Sequence, residues 1–339
     1  MRSLDGHTLD EMNLRRFSVL DDIGFYTLTD ARVTQLSSTS PMWRCEILLN
    51  DSCNFKCPYC RGFKNFSRDC GEEMPIEQAI KTIDYWIDDG LKNVRFSGGE
   101  PTLYDGLCSL VEHCKKRGVE RIAVSSNGSA DRGLYERLLD AGVNDFSISL
   151  DACCALYGDK MAGVSGEWNT VVDNIRFLAS QTYVTIGMVV LPITLPTLSE
   201  NVFFASSLGV ADIRIISAAQ WNKVLGGLQI LPDRILDRHP ILKYRVNHFL
   251  EHRNVRGIQY DDSNRCYLVM DDSVVAGDWH FPCVIHLREG GDPIGRVGKK
   301  MRAERIEWSI CHNTHDDPIC KKNCLDVCID YNNSAKDNQ

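Results

Sequence analysis

The chain has 339 residues, room for one large domain or two. Hydrophobic residues make up 43% and charged residues 25%, which excludes a disordered chain and supplies a sizeable core. Lys and Arg number 38 against 46 Asp and Glu, so the net charge is −8 and the chain as a whole is a poor non-specific binder of nucleic acid. No apolar run approaches the ~18 residues of a membrane span, and no membrane partner is expected. The opening MRSLDGHTLDEMNLRR lacks the apolar segment of a signal peptide, so a cytoplasmic location is expected.

Residues 1–41 read as a polar N-terminal extension. An alternation then begins. WRCEILLN (43–50) reads as a buried strand, and PIEQAIKTIDYWIDDG (75–90) as a helix, with Ile76, Ile80, Ile83 and Ile87 at helical spacing. Strands follow at 93–97, 121–126, 145–150, 184–191 and 212–217, with helices at 107–118, 131–142, 167–180 and 197–209. Repeated strand–helix units predict a parallel sheet with helices outside and a ligand site at the C-terminal strand ends. After Ser217 the pattern breaks. Residues 231–253 read as one or two helices, 267–283 as a hairpin, and the tail DYNNSAKDNQ as frayed. The expected division is 1–41, a core at 42–225, and a helical linker with a Cys-rich subdomain at 226–339.

The chain has 15 cysteines, which in a reducing compartment point to metal or cluster ligation. Cys45, Cys108 and Cys114 are scattered and read as small hydrophobes. Two groups are different. The first is CNFKCPYC, with Cys53, Cys57 and Cys60 on the loop after the first strand. Three thiolates on one short loop can hold three irons of a [4Fe–4S] cube and leave the fourth open, whereas a structural zinc site wants four ligands.

CNFKCPYC resembles the CxxxCxΦC signature of the radical S-adenosylmethionine (radical SAM) superfamily, with Tyr59 at its aromatic position. SGGEP (97–101), SSNG (125–128) and SISLD (147–151) resemble its GGEP, TNG and SLD segments, in order and each at a strand end. The resemblance covers residues 42–217. It implies a partial (β/α)6 TIM barrel followed by the small Cys-rich subdomain, a [4Fe–4S] cluster on Cys53, Cys57 and Cys60, and SAM chelating the open iron. Gly98 and Gly99 would let the backbone approach the ligand. Glu100 would accept from the cationic end of SAM, Pro101 would fix the turn, and Tyr59 would lie against the adenine. Ser125, Ser126, Asn127 and Ser149 would offer polar contacts or cap their strands. Met188 would border the adenine or pack in the core, and Arg214 and Gln220 would reach the cavity.

The second group is Cys266, Cys283, Cys311, Cys320, Cys324 and Cys328. GDWHFPC resembles the approach to a ligand Cys in the SPASM and twitch subdomains of radical SAM enzymes. That implies an auxiliary [4Fe–4S] cluster from Cys266, Cys283 and two of the last four. Two clusters, or a structural zinc site with His312 or His315, are the alternatives. Cys153 and Cys154 follow Asp151 and read either as loop cysteines or as hydrogen-atom donors. Lys56, Arg61 and Lys64 make the cluster loop basic, which suits a solvated face, an anionic cluster or an anionic substrate.

The expected activity is reductive cleavage of SAM and hydrogen abstraction from an amino acid or peptide, with an external donor of the flavodoxin or ferredoxin type. A nucleotide or hypermodified DNA base is the alternative substrate. A non-enzymatic zinc module is the competing class, and it leaves the GGEP-, TNG- and SLD-like loops unexplained.

Overall fold

A computed structural model of the chain describes residues 31–62, 73–219 and 231–337. Lys64, Gln220 and most of the N-terminal extension lie outside the described residues. Strands β1 (Arg44–Leu48), β2 (Asn93–Ser97), β3 (Arg121–Ser126), β4 (Asp145–Ser149), β5 (Tyr183–Val190) and β6 (Asp212–Ser217) lie side by side in chain order, each parallel to the next. Between them run α1 (Ile76–Asp88), α2 (Leu107–Lys116), α3 (Arg132–Ala141), α4 (Ala155–Ala162), α5 (Trp168–Gln181) and α6 (Leu198–Ser207). This is the open sheet of a partial barrel, as the alternation predicts. Helix α4 is an addition. Met161 is its one buried side chain, so it has no apolar stripe for periodicity to detect.

Alternate strand residues divide between two faces. Val94, Phe96, Ile122, Val124, Phe146, Ile148, Val184, Ile186, Met188, Val190, Ile213 and Ile215 join the core shared with the helices, as do Cys45 and Cys114. Each such aliphatic or aromatic burial contributes about 1.5–3 kcal/mol. Stability therefore resides on the helix side of the sheet. The opposite face can be polar, and it carries Arg95, Ser125, Asp145, Ser147, Ser149, Thr185 and Arg214.

The C-terminal region departs from a separate subdomain. The expected hairpin forms, as β7 (Asp272–Ala276) and β8 (Trp279–Phe281). But β7 also pairs in parallel with β1, from Arg44 against Asp272 to Leu48 against Ala276. With β9 (Gly295–Arg296), the sheet has nine strands in the order β6-β5-β4-β3-β2-β1-β7-β8-β9. The Cys-rich region thus continues the barrel sheet across β1, and Arg44 seals the join through Asp272 at 2.9 Å.

Residues 231–253 give two helices, α7 (Asp233–Arg238) and α8 (Pro240–Leu250), because Pro240 lacks the N–H to continue α7. Helices α9 (Val284–Arg288), α10 (Met301–Cys311), α11 (Pro318–Asn323) and α12 (Asp326–Asp337) follow. The tail expected to fray is the body of α12. Tyr331 and Ala335 are buried, and the Asn332 side chain accepts the N–H groups of Tyr267 and Leu268 at 2.8 and 3.0 Å. Arg305 of α10, fully buried, donates to the carbonyls of Val269, Phe281, Asp272 and Pro282. One side chain thereby ties both hairpin strands to α10.

Candidate functional site

Beyond Leu48 the chain turns through Asn50–Ser52 into the first cysteine loop. Cys53 and Cys60 are exposed and Cys57 is half-buried. The loop is pinned from three sides. Asn54 donates to Ser129 Oγ at 2.8 Å and accepts from Asn127 Nδ2 at 2.7 Å, which ties it to the loop after β3. Lys56 N–H donates to Ala162 O at 2.8 Å, at the end of α4. Tyr59 Oη donates to Asp151 Oδ2 at 2.6 Å, and Asp151 Oδ1 accepts the Val189 N–H at 2.7 Å. The three thiols therefore stand where the loops after β1, β3 and β4 meet. Burial pushes the Cys57 thiol up to about 12 and raises that of Cys53. Burial also pushes the Asp151 carboxyl up to about 6, opposed by the Tyr59 and Val189 donors. Three thiols on one braced loop fit a cube with one unligated iron.

The GGEP-like segment braces the stem of this loop. Gly99 N–H donates to Asn50 O and Glu100 N–H to Ser52 O, both at 2.8 Å. A Cβ on Gly99 would lie 2.1 Å from Ser52 O, and one on Gly98 2.5 Å from Asn50 Oδ1. The close approach that demands glycine is thus made by the chain's own loop. Glu100 is 1% exposed. Its Oε1 accepts from Thr102 Oγ1 at 2.7 Å, Thr102 N–H at 3.1 Å and Ser126 Oγ at 2.8 Å, and its Oε2 accepts the Asn127 N–H at 2.6 Å. Burial raises its pKa, and these donors oppose the rise. Glu100 therefore organises the SSNG segment, with Oε2 the less occupied oxygen. Pro101 opens the short turn Pro101–Leu103.

The remaining residues divide. Ser126 is also bonded to Tyr135 Oη at 3.0 Å, and Asn127 joins the cysteine loop through Asn54. Ser125 is half-buried and Ser149 exposed, both on the polar face of the sheet. Ser149, Gly187 and Arg214 share one row, and Arg214 Nη2 stands 3.5 Å from the Cβ position at Gly187. Met188, one residue off that row, lies in the core on the helix side. Cys153 is half-buried and Cys154 exposed, in the loop after Asp151, where Cys153 N–H donates to Asn201 Oδ1 at 2.9 Å. The reading of the sequence did not single out Asn54, Thr102, Asp151 or Asn201. Asp151 stood within SISLD and could have been found there, whereas the other three carry no local signal.

The second group comes from separated elements. Cys266 precedes the turn Leu268–Met270, Cys283 caps α9, Cys320 lies in α11, Cys324 links α11 to α12, and Cys328 lies in α12. Burial pushes Cys266 up to about 11 and Cys283 up to about 12. The charge of Cys328 bears on Cys266, Cys283 and Cys324, and those of Cys266 and Cys283 on Cys320. These five thiols therefore converge. Cys311 is exposed at the end of α10. His312 Nε2 lies 3.7 Å from Cys320 Sγ, while His315 Nε2 faces Asp262 O at 3.1 Å. Among the described residues, His312, Asp317 and Cys320 form one group whose ligand atoms lie within 4.8 Å of one another, a spacing open to a single metal ion. No helix among the described residues is long and apolar enough to cross a membrane.

Residues 47–205 match the family model of the radical SAM superfamily. A protein of Methanocaldococcus jannaschii named "Probable GTP 3',8-cyclase" is 28% identical over 185 residues, 53% of this chain and 60% of that protein. A GTP 3',8-cyclase of Staphylococcus haemolyticus is 30% identical over 41% of this chain and 43% of its own length. The chain thus spans less than two thirds of either relative. Among solved structures, Streptococcus suis SuiB bound to the precursor peptide SuiA aligns with a TM-score of 0.57 at 14% identity, over 85% of this chain and 67% of that one. The enzyme anSMEcpe with bound AdoMet aligns with a TM-score of 0.57 at 15% identity, over 88% of this chain and 92% of that one. These structures share the fold, Cys-rich region included in the alignment's extent.

Proposed function

The chain belongs to the radical SAM superfamily of enzymes, and on that premise we propose that Cys53, Cys57 and Cys60 hold a [4Fe–4S] cluster, that SAM binds its open iron, and that a nucleotide is the substrate. When bound, this pair supplies reductive cleavage of the S–C5′ bond of SAM and removal of a hydrogen atom from a substrate C–H bond. The chain's own residues position and exclude. Asn54, Lys56 and Tyr59 brace the cysteine loop against the loops after β3 and β4. Glu100 Oε2 and the Asn127 amide lie beside that loop and offer an acceptor and a donor for the amino-acid end of SAM. Ser125, Ser149 and Arg214 line the polar face on which the rest of SAM and the substrate would lie. The auxiliary cluster is assigned to Cys266, Cys283 and two of Cys320, Cys324 and Cys328. An external electron donor completes the system.

The observation that carries this reading is the three-thiol loop, pinned by three sets of hydrogen bonds at the C-terminal mouth of a parallel sheet. A nucleotide is preferred to a peptide because relatives at 28–30% identity over the barrel are named for a nucleotide reaction, while the peptide-linked structures share only the fold. The test is anaerobic, reduced protein incubated with SAM and a panel of deuterated nucleotides, nucleic acids and peptides. Deuterium should appear in 5′-deoxyadenosine with a nucleotide. Transfer from a peptide alone would overturn the substrate class, and no 5′-deoxyadenosine at all would overturn the activity.

A further inference from the structure

The two thiol groups are joined by arginines. Arg61 directly follows Cys60 and pairs with Glu289. Glu289 directly follows Arg288, the last residue of α9, and the N-cap of α9 is Cys283, whose Sγ accepts the His286 N–H at 3.4 Å. Arg256 forms a bridge with Leu325, and its neighbours hold that register: Gly257 N–H donates to Cys324 O and Asp326 N–H to Val255 O, both at 2.9 Å. Arg256 is 4% exposed, with Nη1 on Asn323 O at 3.4 Å. Each arginine therefore issues from backbone beside one thiol group, and the Arg61–Glu289 pair brings the barrel loop against α9. The charges of Arg61, Arg245 and Arg288 all bear on Arg256, and with burial they push its pKa down to about 10. Arg245 is paired with Asp326. Gathering Arg61, Arg256 and Arg288 in a partly buried place is costly, because like charges repel more strongly out of water. An oxyanion offsets that cost, and the planar guanidinium fork matches phosphate oxygens two at a time.

We propose that Arg61, Arg256 and Arg288 form an anion site between the two thiol groups and take a phosphate of the substrate. This rests on the radical SAM reading of the site and gives its substrate a chemical class. The phosphate could belong to a free nucleotide or to a nucleic acid strand, and the arms of the test separate these.

Anaerobic, cluster-loaded full-length protein is titrated by calorimetry with inorganic tripolyphosphate, GTP and a single-stranded oligodeoxynucleotide. Arg288→Gln, half-exposed and tolerant of replacement, and Arg256→Gln should each weaken tripolyphosphate binding about tenfold, as loss of a charge-assisted hydrogen bond predicts. Arg132→Gln on α3, beside Asp173 and remote in sequence from both thiol groups, should bind as the parent does. Tighter binding of GTP than of the oligonucleotide places the phosphate on a free nucleotide, and the reverse order places it in a strand. Absence of tripolyphosphate binding by the parent, or equal binding by the parent and both arginine variants, would overturn the proposal. So would iron loss in the variants with phosphate binding intact, since the arginines would then serve the clusters. Parent protein that cleaves SAM yet fails these titrations loses this inference alone. Parent protein that cannot cleave SAM loses the reading beneath it.

Discussion

The two thiol groups are built in opposite ways. Cys53, Cys57 and Cys60 share one eight-residue loop, two of them exposed, and the fold around them is carried by the helix side of the sheet. Cys266, Cys283, Cys320, Cys324 and Cys328 are half-buried and come from five places in the chain that meet only through tertiary packing. The first group is presented by a scaffold that stands without it. The second lies inside its own scaffold, where ligation and folding are the same event. A loop site can keep a coordination position open for a reactant, while a site assembled from packed elements favours closed ligation.

The largest expected effect follows from that contrast. Replacing Cys53, Cys57 and Cys60 together by Ala should abolish SAM cleavage and remove about four irons per chain, while the thermal midpoint of the anaerobic protein changes little. Cys283→Ala should do the reverse. Iron falls by about half, and a loss of about 3 kcal/mol lowers the midpoint of a chain this long by about 4 °C. Equal destabilisation by both changes would erase the distinction. About one zinc and no iron in the triple variant would leave a structural zinc site in place of the auxiliary cluster.

A smaller effect is expected at the stem of the first loop. Gly99→Ala places a Cβ against the Ser52 carbonyl and should cost about 1–3 kcal/mol. Because the clash displaces the cysteine loop, iron content and SAM affinity should fall together. Reduced SAM affinity with full iron would instead assign the glycine to ligand approach.

The smallest effect concerns Tyr59 and Asp151. Burial raises the folded-state pKa of Asp151 to about 6, so its contribution to stability is greatest when protonated and diminishes as pH rises toward 6. The Tyr59 hydroxyl acts against that rise by favouring the carboxylate. Tyr59→Phe should therefore cost about 1–2 kcal/mol at pH 8 and less at pH 5, measured by urea unfolding. A pH-independent deficit would show that the hydroxyl does not serve the carboxylate.

What could be read from the residues tracks the same contrast. Apolar periodicity marks β1 to β6 and the main helices because each element buries one face locally. The cysteine loop and its three companion segments are contiguous strings at strand ends, so their order along the chain carries their meeting in space. The parallel pairing of β7 with β1 joins Arg44 to Asp272, and no local pattern contains it. Helix α12 looks like a polar tail because its order comes from Asn332 and Tyr331 packing on residues 267–270, far away in sequence. Asn54, Thr102 and Asn201 act by hydrogen bonds across loops, and an isolated polar residue announces no partner. Glu100 and Ser126 are visible in the sequence, but their mutual bond is a property of the fold.

The central claim is that the first group holds a cluster with an open iron and the second group a closed one. Electron paramagnetic resonance of the reduced, anaerobic protein, with and without SAM, tests this most directly. In the parent and in Cys283→Ala, SAM should shift one cluster signal, and that SAM-sensitive signal should vanish in the Cys53/Cys57/Cys60 triple Ala variant. A SAM-sensitive signal that persists in the triple variant would place the open iron on the C-terminal cysteines and contradict the account.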